Sequence, residues 1–113
     1  MWGPRSAYEG VTLIDRLMKL VTEDRAKIAG SRGGSIYQQA ARTSNLEVFE
    51  QLRQKLVITI PETAEITGMS KPTVGRAIAE LEHMQIAREI TGKKRDRVYI
   101  YGAYIMMLNS DVQ

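Results

Sequence analysis

Hydrophobic residues recur at three- and four-residue steps along several stretches of the chain, and this spacing is typical of amphipathic helices. The longest stretch, Val11–Ala29, combines a leucine-rich stripe with a polar side of mixed charge. It predicts a long helix that needs a surface to pack on. Residues Met1–Gly10 show no such period and predict a loose lead-in.

The middle of the chain contains a glycine-rich break followed by further helical patterns. Gly30–Ser35 holds three glycines and predicts a flexible connection. Ile36–Arg42 predicts a short helix, and Asn45–Lys55 predicts another. Ser44 and Glu47 have the spacing of a capping box, so we expect the second of these helices to begin there.

Two more helical patterns follow with a single residue between the stop of one and the start of the next. Thr59 and Glu62 have capping-box spacing, and Gly68 suits the left-handed end of that helix. Ser70 then caps the helix Lys71–His83. Helices joined this closely must cross steeply, as in a helix-turn-helix.

The inner side of the second helix of this pair is apolar, and so is one side of Asn45–Lys55. Because both stripes need burial, we expect the two helices to pack on each other. The expected core contacts are those of Phe49 and Leu52 with Val74, Ile78 and Leu81.

A β-hairpin with a basic tip is predicted after the helix pair. Ile86–Ile90 and Val98–Tyr101 are rich in β-branched and aromatic residues, and Thr91–Arg97 separates them. The tip has four cations and one anion, whereas Val57–Gln113 has seven basic and seven acidic residues and is neutral. The positive charge is therefore concentrated. The predicted fold is mainly α with a small β-hairpin, a winged helix-turn-helix preceded by an N-terminal helical arm.

The start of the second helix and the hairpin tip carry groups that suit nucleic acid. A helix N-terminus attracts anions, and cations and hydroxyls beside it add phosphate or base contacts. We expect double-stranded DNA as the partner, with that helix in the major groove and the tip on the adjacent backbone. The alternatives are a solvated helix face and a solubilising hairpin loop. The candidate DNA contacts are Ser70, Lys71, Thr73, Arg76, Lys93, Lys94, Arg95 and Arg97.

The string ITGKKRDRVYIY, residues Ile90–Tyr101, resembles the C-terminal winged helix of Fic family proteins, as does the run from Ile60 to Leu81. The segment Glu23–Ile28 and the later Val48–Leu52 are similar to the helical region that links the Fic catalytic domain to that winged helix. Fic proteins transfer AMP from ATP to a protein hydroxyl through a motif of the form HPFxDGNGRxGR. That motif is absent here, so the resemblance assigns no catalytic residue and implies a regulatory part of such an enzyme.

The resemblance also implies a second possible function. The chain would be a protein-interaction or dimerisation module that recruits targets for a Fic-type enzyme, with a protein target or the Fic catalytic domain as its partner. Glu80 and Glu82 favour this alternative, because acidic groups on the groove-facing helix repel phosphates. The resembling proteins tend to have glycine where this chain has Gln85. A left-handed Gln85 would cost roughly 1–2 kcal/mol, so we expect either that strain or a rebuilt turn there.

Composition excludes several other function classes. The chain has no cysteine and one histidine, His83, which leaves no disulfide and no zinc ligand set. No phosphate-binding glycine loop or nucleophile motif is present, so we expect no enzyme activity, cofactor or metal. The longest uncharged run, Val98–Ser110, has 13 residues, fewer than the roughly 20 that span a bilayer. With no secretory signal, we expect a cytoplasmic protein that does not enter membranes.

We expect two parts in this chain of 113 residues. Residues 1–43 form the N-terminal helical arm and flexible linker, and residues 44–113 form the winged helix-turn-helix domain. The leucine stripe of the arm exceeds what that domain can bury, so we expect a homodimer through the N-terminal helix. The alternative is packing of the stripe within the chain.

Overall fold

The protein, analysed as a computed structural model, is described over residues 3–30 and 34–112, with side chains over residues 12–30 and 34–110. These residues form five helices and three strands. In chain order they are α1 (Gly3–Ala29), α2 (Ile36–Lys55), β1 (Val57–Thr59), α3 (Ile60–Thr67), α4 (Lys71–His83), β2 (Ala87–Glu89), β3 (Val98–Tyr101) and α5 (Gly102–Val112).

The three strands form one antiparallel sheet in the order β1-β3-β2. Ile58 of β1 lies opposite Tyr99 of β3, and Arg88 of β2 lies opposite Ile100. Strand β1 therefore adds a third strand to the hairpin, and α3 begins directly after it. The order α2-β1-α3-α4-β2-β3 is that of a winged helix-turn-helix, and it confirms the predicted fold class. The sequence did not predict β1, because three residues are too few to show an alternating pattern.

Local capping explains the sharp turn between α3 and α4. The Thr59 hydroxyl accepts a hydrogen bond from the backbone N–H of Glu62, and the Ser70 hydroxyl accepts one from Thr73. Gly68 ends α3 with a φ of 78°, which is left-handed backbone. The capping box at Thr59 is only half formed, because the Glu62 carboxylate accepts from Lys55 Nζ at 3.2 Å instead.

The middle helices differ from the prediction. The two helices expected at Ile36–Arg42 and Asn45–Lys55 are one continuous helix, α2. The Ser44 hydroxyl donates to the carbonyl of Ala40 inside that helix, so Ser44 does not cap it. The capping box lies at Ser35, whose side chain accepts from the backbone of Gln38 while the Gln38 side chain accepts from the backbone of Ser35. A serine in a helix interior bonds the preceding turn as readily as it caps.

The first and last helices are longer than predicted. Residues Gly3–Gly10, expected to be a loose lead-in, form the first turns of α1, while Met1 and Trp2 lie outside the described residues. Pro4 is tolerated there because its missing N–H falls in the first turn, where no intrahelical partner exists. The closing helix, expected at Ala103–Leu108, extends over Gly102–Val112.

The core joins α2, α4 and the sheet as predicted. The side chains of Phe49, Leu52, Val74, Ile78 and Leu81 are at most 1% exposed and belong to one hydrophobic cluster. Burying each of the larger side chains is worth about 1.5–3 kcal/mol. This cluster fixes the inner side of α4 and leaves its outer side exposed.

The C-terminal half of α1 packs on the same core. Ile28 is 2% exposed and lies in the hydrophobic cluster with the residues of the winged helix. Arg25 Nη2 lies 2.6 Å from Glu50 Oε1 of α2, and the Tyr101 hydroxyl donates to Asp24 Oδ2 at 2.6 Å. Part of the arm is therefore packed within the chain. The division between residues 43 and 44 stays a prediction.

The turn between α4 and β2 is left-handed at Gln85, so it is not rebuilt to avoid that geometry. Gln85 has a φ of 63°. A residue with a Cβ is disfavoured in this region, whereas glycine adopts it freely. Gln85 thus holds a left-handed position that glycine would adopt without strain.

We predict that Gln85→Gly raises the free energy of unfolding by about 1 kcal/mol, because it relieves the left-handed strain. Gly68→Ala is the matched control. Its φ is 78° and an added Cβ would have no atom within 4 Å, so only backbone conformation changes. We expect the control to lower stability by about 1 kcal/mol. Denaturant unfolding measures both variants, and changes of the same sign would contradict the interpretation.

Candidate nucleic-acid interface

The first turn of α4 carries two hydroxyls that bond each other. The Ser70 hydroxyl accepts from the Thr73 N–H at 3.3 Å and donates to the Thr73 hydroxyl oxygen at 2.8 Å. The Thr73 hydroxyl has no acceptor for its own proton among the described residues. It can therefore donate to an oxygen beyond the protein, while Ser70 holds the helix end in place.

Two cations lie on the exposed side of α4. Lys71, at the first helical position, and Arg76, more than one turn later, are both exposed. Neither forms an ion pair with any carboxylate in the described part of the chain. Arg76 also borders an open cavity of about 380 Å³ that Lys27 and Glu80 help to line. The start of α4 thus offers positive charge together with a free hydroxyl proton.

The wing is the loop between β2 and β3, residues 90–97. Its four cations, at Lys93, Lys94, Arg95 and Arg97, are exposed. Arg97 Nε donates to the carbonyl oxygen of Lys93, so this side chain closes the tip from within. Asp96, between the last two cations, has a φ of 54° and is also exposed. The predicted phosphate contacts therefore share one short loop.

Glu89 stands at the base of the wing. Its Oε2 atom accepts hydrogen bonds from the backbone N–H groups of Thr91 and Gly92, each at 2.6 Å, and from the Thr91 hydroxyl. The same hydroxyl accepts from the N–H of Val98 across the hairpin. The Thr91 hydroxyl bond, with the two N–H groups and the charge of Arg97, holds the pKa of Glu89 below its usual value.

The cations of α1 and α2 differ from those of the candidate interface, because several of them are paired. Glu50 binds Arg53 and Arg25 at 2.7 and 2.6 Å, and these bonds, led by that of Arg53, lower its pKa to about 2. Lys55 pairs with Glu62 and Lys27 with Asp24. Within residues 12–30 and 34–110, no carboxylate lies within ion-pair distance of five cations of the candidate interface. Those cations are Lys71, Arg76, Lys93, Lys94 and Arg95.

The structure brings the predicted site residues together in two groups. Ser70 and Thr73 are in direct contact at the start of α4, and Lys93 and Arg97 are in direct contact in the wing. No hydrogen bond or ion pair joins one group to the other in the described side chains. Their joint contact with one duplex stays a prediction.

Sequence reasoning missed three polar residues that the structure distinguishes, of which Glu89 holds the wing. The sequence did contain a signal for Glu89, since a carboxylate two residues before Thr91-Gly92 can accept hydrogen bonds from the backbone N–H groups of a turn. The sequence contained no signal for Asp24, because it is one of several charged residues of both signs on α1. Only its 2% exposure in the structure distinguishes it. Asn45 is 5% exposed, and its Oδ1 atom has no hydrogen-bond partner among the described atoms.

Among the described residues, none of the helices is both long and apolar enough to cross a bilayer. The same residues contain no cluster of three or more histidine or acidic side chains arranged to hold a metal ion.

Comparison of the sequence with protein-family models and with curated proteins found no match. Among solved structures, the chain is similar to a transcriptional regulator of the MarR family from Silicibacter pomeroyi, with a TM-score of 0.48 and 18% sequence identity. The alignment covers 88% of this chain and spans 64% of the length of that regulator. A likeness at this level carries no argument about function. The winged-helix assignment rests on the order and pairing of the chain's own helices and strands.

Proposed function

We propose that this chain is a cytoplasmic DNA-binding module that places α4 in the major groove and the wing on the neighbouring phosphates. The observation that carries the proposal is the distribution of charge. The α4 and wing cations other than Arg97 form no ion pair in the described structure, whereas Arg25, Arg53, Lys27 and Lys55 do. Unneutralised cations release counterions on binding a polyanion, which provides affinity.

The residues have separate roles in this proposal. Arg76 is the best candidate for a base-edge contact, because an exposed guanidinium on a groove helix can bond guanine at two atoms. Lys71 and Thr73 bind the backbone and set the register of the helix. Ser70 acts mainly by capping. Lys93, Lys94 and Arg95 bind phosphates, while Arg97 combines a phosphate contact with closure of the wing.

We predict that neutralising Lys94 and Arg95 together, as Lys94→Gln and Arg95→Gln, weakens binding to all duplexes alike. Each lost phosphate contact lowers the salt dependence of log K by about 0.9, so the double variant should lose roughly 2. Fluorescence anisotropy from low to moderate salt measures this slope.

The control for the wing variant removes the same charge elsewhere, with Lys19→Gln and Lys55→Gln. Both lysines are exposed and lie outside α4 and the wing. The salt dependence of log K for this control variant should stay near that of the wild type. An unchanged slope in the wing double variant would contradict the assignment of the wing.

We predict that Arg76→Ala changes which sequences are preferred. A bidentate base contact is worth about 1–3 kcal/mol of discrimination, so its loss should relax specificity at one position. Selection from randomised duplexes, with Lys71→Ala as the backbone-contact control, measures this effect. The same ranking of sequences in wild type and Arg76→Ala would show that Arg76 does not read bases.

An interaction module attached to a Fic-type enzyme is the second candidate. Glu80 and Glu82, both exposed on α4, favour it because carboxylates there oppose phosphate binding. The Fic origin that this candidate needs stays a hypothesis based on the sequence string Ile90–Tyr101. A gel shift with random duplex DNA at low salt separates the two candidates, since an interaction module would leave the DNA unshifted.

We further propose that two copies pair through α1. The side chains of Ile14 and Met18 are 58% and 64% exposed, although both are apolar. They border an open groove of about 420 Å³ that also includes Leu17, Val21 and Tyr104. A second α1 stripe would cover these side chains, and paired winged helices would contact two half-sites.

We predict that Ile14→Glu with Met18→Glu abolishes this association, because two carboxylates would be buried without partners. Sedimentation equilibrium over a range of concentrations measures it. Lys19→Glu, at an exposed position of α1 outside the groove, serves as the control for added negative charge and should leave the association intact. A wild-type chain that stays monomeric at all concentrations would rule out pairing through α1.

A further inference from the structure

One carboxylate lies at the base of the most basic loop of the protein. Glu89 is the last residue of β2 and directly precedes the wing. Electrostatics alone would disfavour an acidic residue beside a phosphate-binding loop, since it repels the same anions that the lysines attract. Its role must therefore come from its contacts rather than from its charge at a distance.

Those contacts involve the first turn of the wing. Glu89 Oε2 accepts from the N–H groups of Thr91 and Gly92 and from the Thr91 hydroxyl. Thr91 in turn accepts from Val98 N–H at 3.3 Å, so the network reaches the opposite strand. Hydrogen bonds from N–H groups to an ionised carboxylate are about twice as strong as bonds between neutral groups.

The wing has few other contacts that could order it. The backbone ladder ends at the bond from Ile90 N–H to the Val98 carbonyl. Beyond this bond, the hydrogen bonds of residues 91–97 within the described structure are those to Glu89, the Thr91–Val98 bond and the Arg97–Lys93 bond. A loop that is ordered before binding loses less conformational entropy when it binds. The conformation of the backbone carrying the cations thus depends on these side-chain contacts.

We propose that Glu89 is a positioning residue for DNA binding, whose carboxylate caps the wing turn and holds the backbone that carries Lys93, Lys94 and Arg95. This inference rests on the proposed function. It predicts that removal of a negative charge at Glu89 weakens DNA binding, although the removal makes the loop more positive.

Asp96 provides a matched control for the predicted direction of the change in DNA affinity. It is exposed in the same loop and forms no hydrogen bond or ion pair within the described residues. Its φ of 54° suits asparagine as well as aspartate. Asp96→Asn therefore removes the same charge from the same loop and leaves the conformation unchanged.

The experiment measures the dissociation constant of one duplex at fixed low salt for the wild type, Glu89→Gln, Glu89→Ala and Asp96→Asn. We expect Asp96→Asn to bind about 2-fold tighter, the size of a screened surface charge effect. Glu89→Ala should bind several-fold weaker, and Glu89→Gln should fall between it and the wild type because its amide oxygen can still accept. If both Glu89 variants bind as tightly as Asp96→Asn, the charge acts alone and the inference is wrong.

Amide hydrogen exchange separates this inference from the proposed function. The N–H groups of Thr91 and Gly92 should be protected in the wild type and in Asp96→Asn, and should exchange faster in Glu89→Ala. If wild-type protein does not bind DNA but shows this pattern, the DNA proposal fails and the cap stands. If these amides exchange freely in the wild type, the cap fails whatever the DNA affinity. Equal thermal melts would show that the Glu89 variants remain folded.

Discussion

The side chain of Tyr101 connects four parts of this structure, and the arrangement of the rest depends on it. Its ring meets Phe49 of α2 edge-on at 5.6 Å and lies 5.4 Å from Tyr104 of α5, while its hydroxyl donates to Asp24 of α1. Burial and the bond to Asp24 both raise the pKa of Tyr101. A buried carboxylate needs a donor, so α1 is held at the one position where Asp24 reaches this hydroxyl.

This anchoring gives α4 a fixed inner side and an unobstructed outer side. The cluster that contains Phe49, Val74 and Ile78 is closed to solvent, and α4 contributes its apolar stripe to it. Charged residues cannot enter such a core without partners. Lys71 and Arg76 therefore lie on the exposed side, and the proposed DNA contact follows from the same pattern that stabilises the fold.

The wing uses a different principle, because it has no core of its own. In the proposed function, its cations provide affinity for DNA phosphates, and a few side-chain hydrogen bonds hold the loop in one conformation. Glu89 before the loop and Arg97 at its end bind the neighbouring backbone groups of Gly92 and Lys93, so acidic and basic residues both stabilise a segment that presents net positive charge. The side chains of Lys93, Lys94 and Arg95 form none of these bonds within the described residues. Their charge can therefore be changed without removing the contacts that order the loop, whereas Arg97 contributes to both.

The sequence by itself determined the helix pair, the hairpin and the core residues, because caps, glycine stops and apolar spacing act over only a few residues. It determined the candidate cations for the same reason. Only the tertiary structure decided that α2 is continuous through Ser44, that β1 joins the sheet and that Asp24 is buried. The pairing of β1 and the burial of Asp24 depend on groups distant in the chain, as in the bond between Asp24 and Tyr101, which are 77 residues apart. Local patterns contain no record of such partners, so the way the arm packs emerged only from the folded chain.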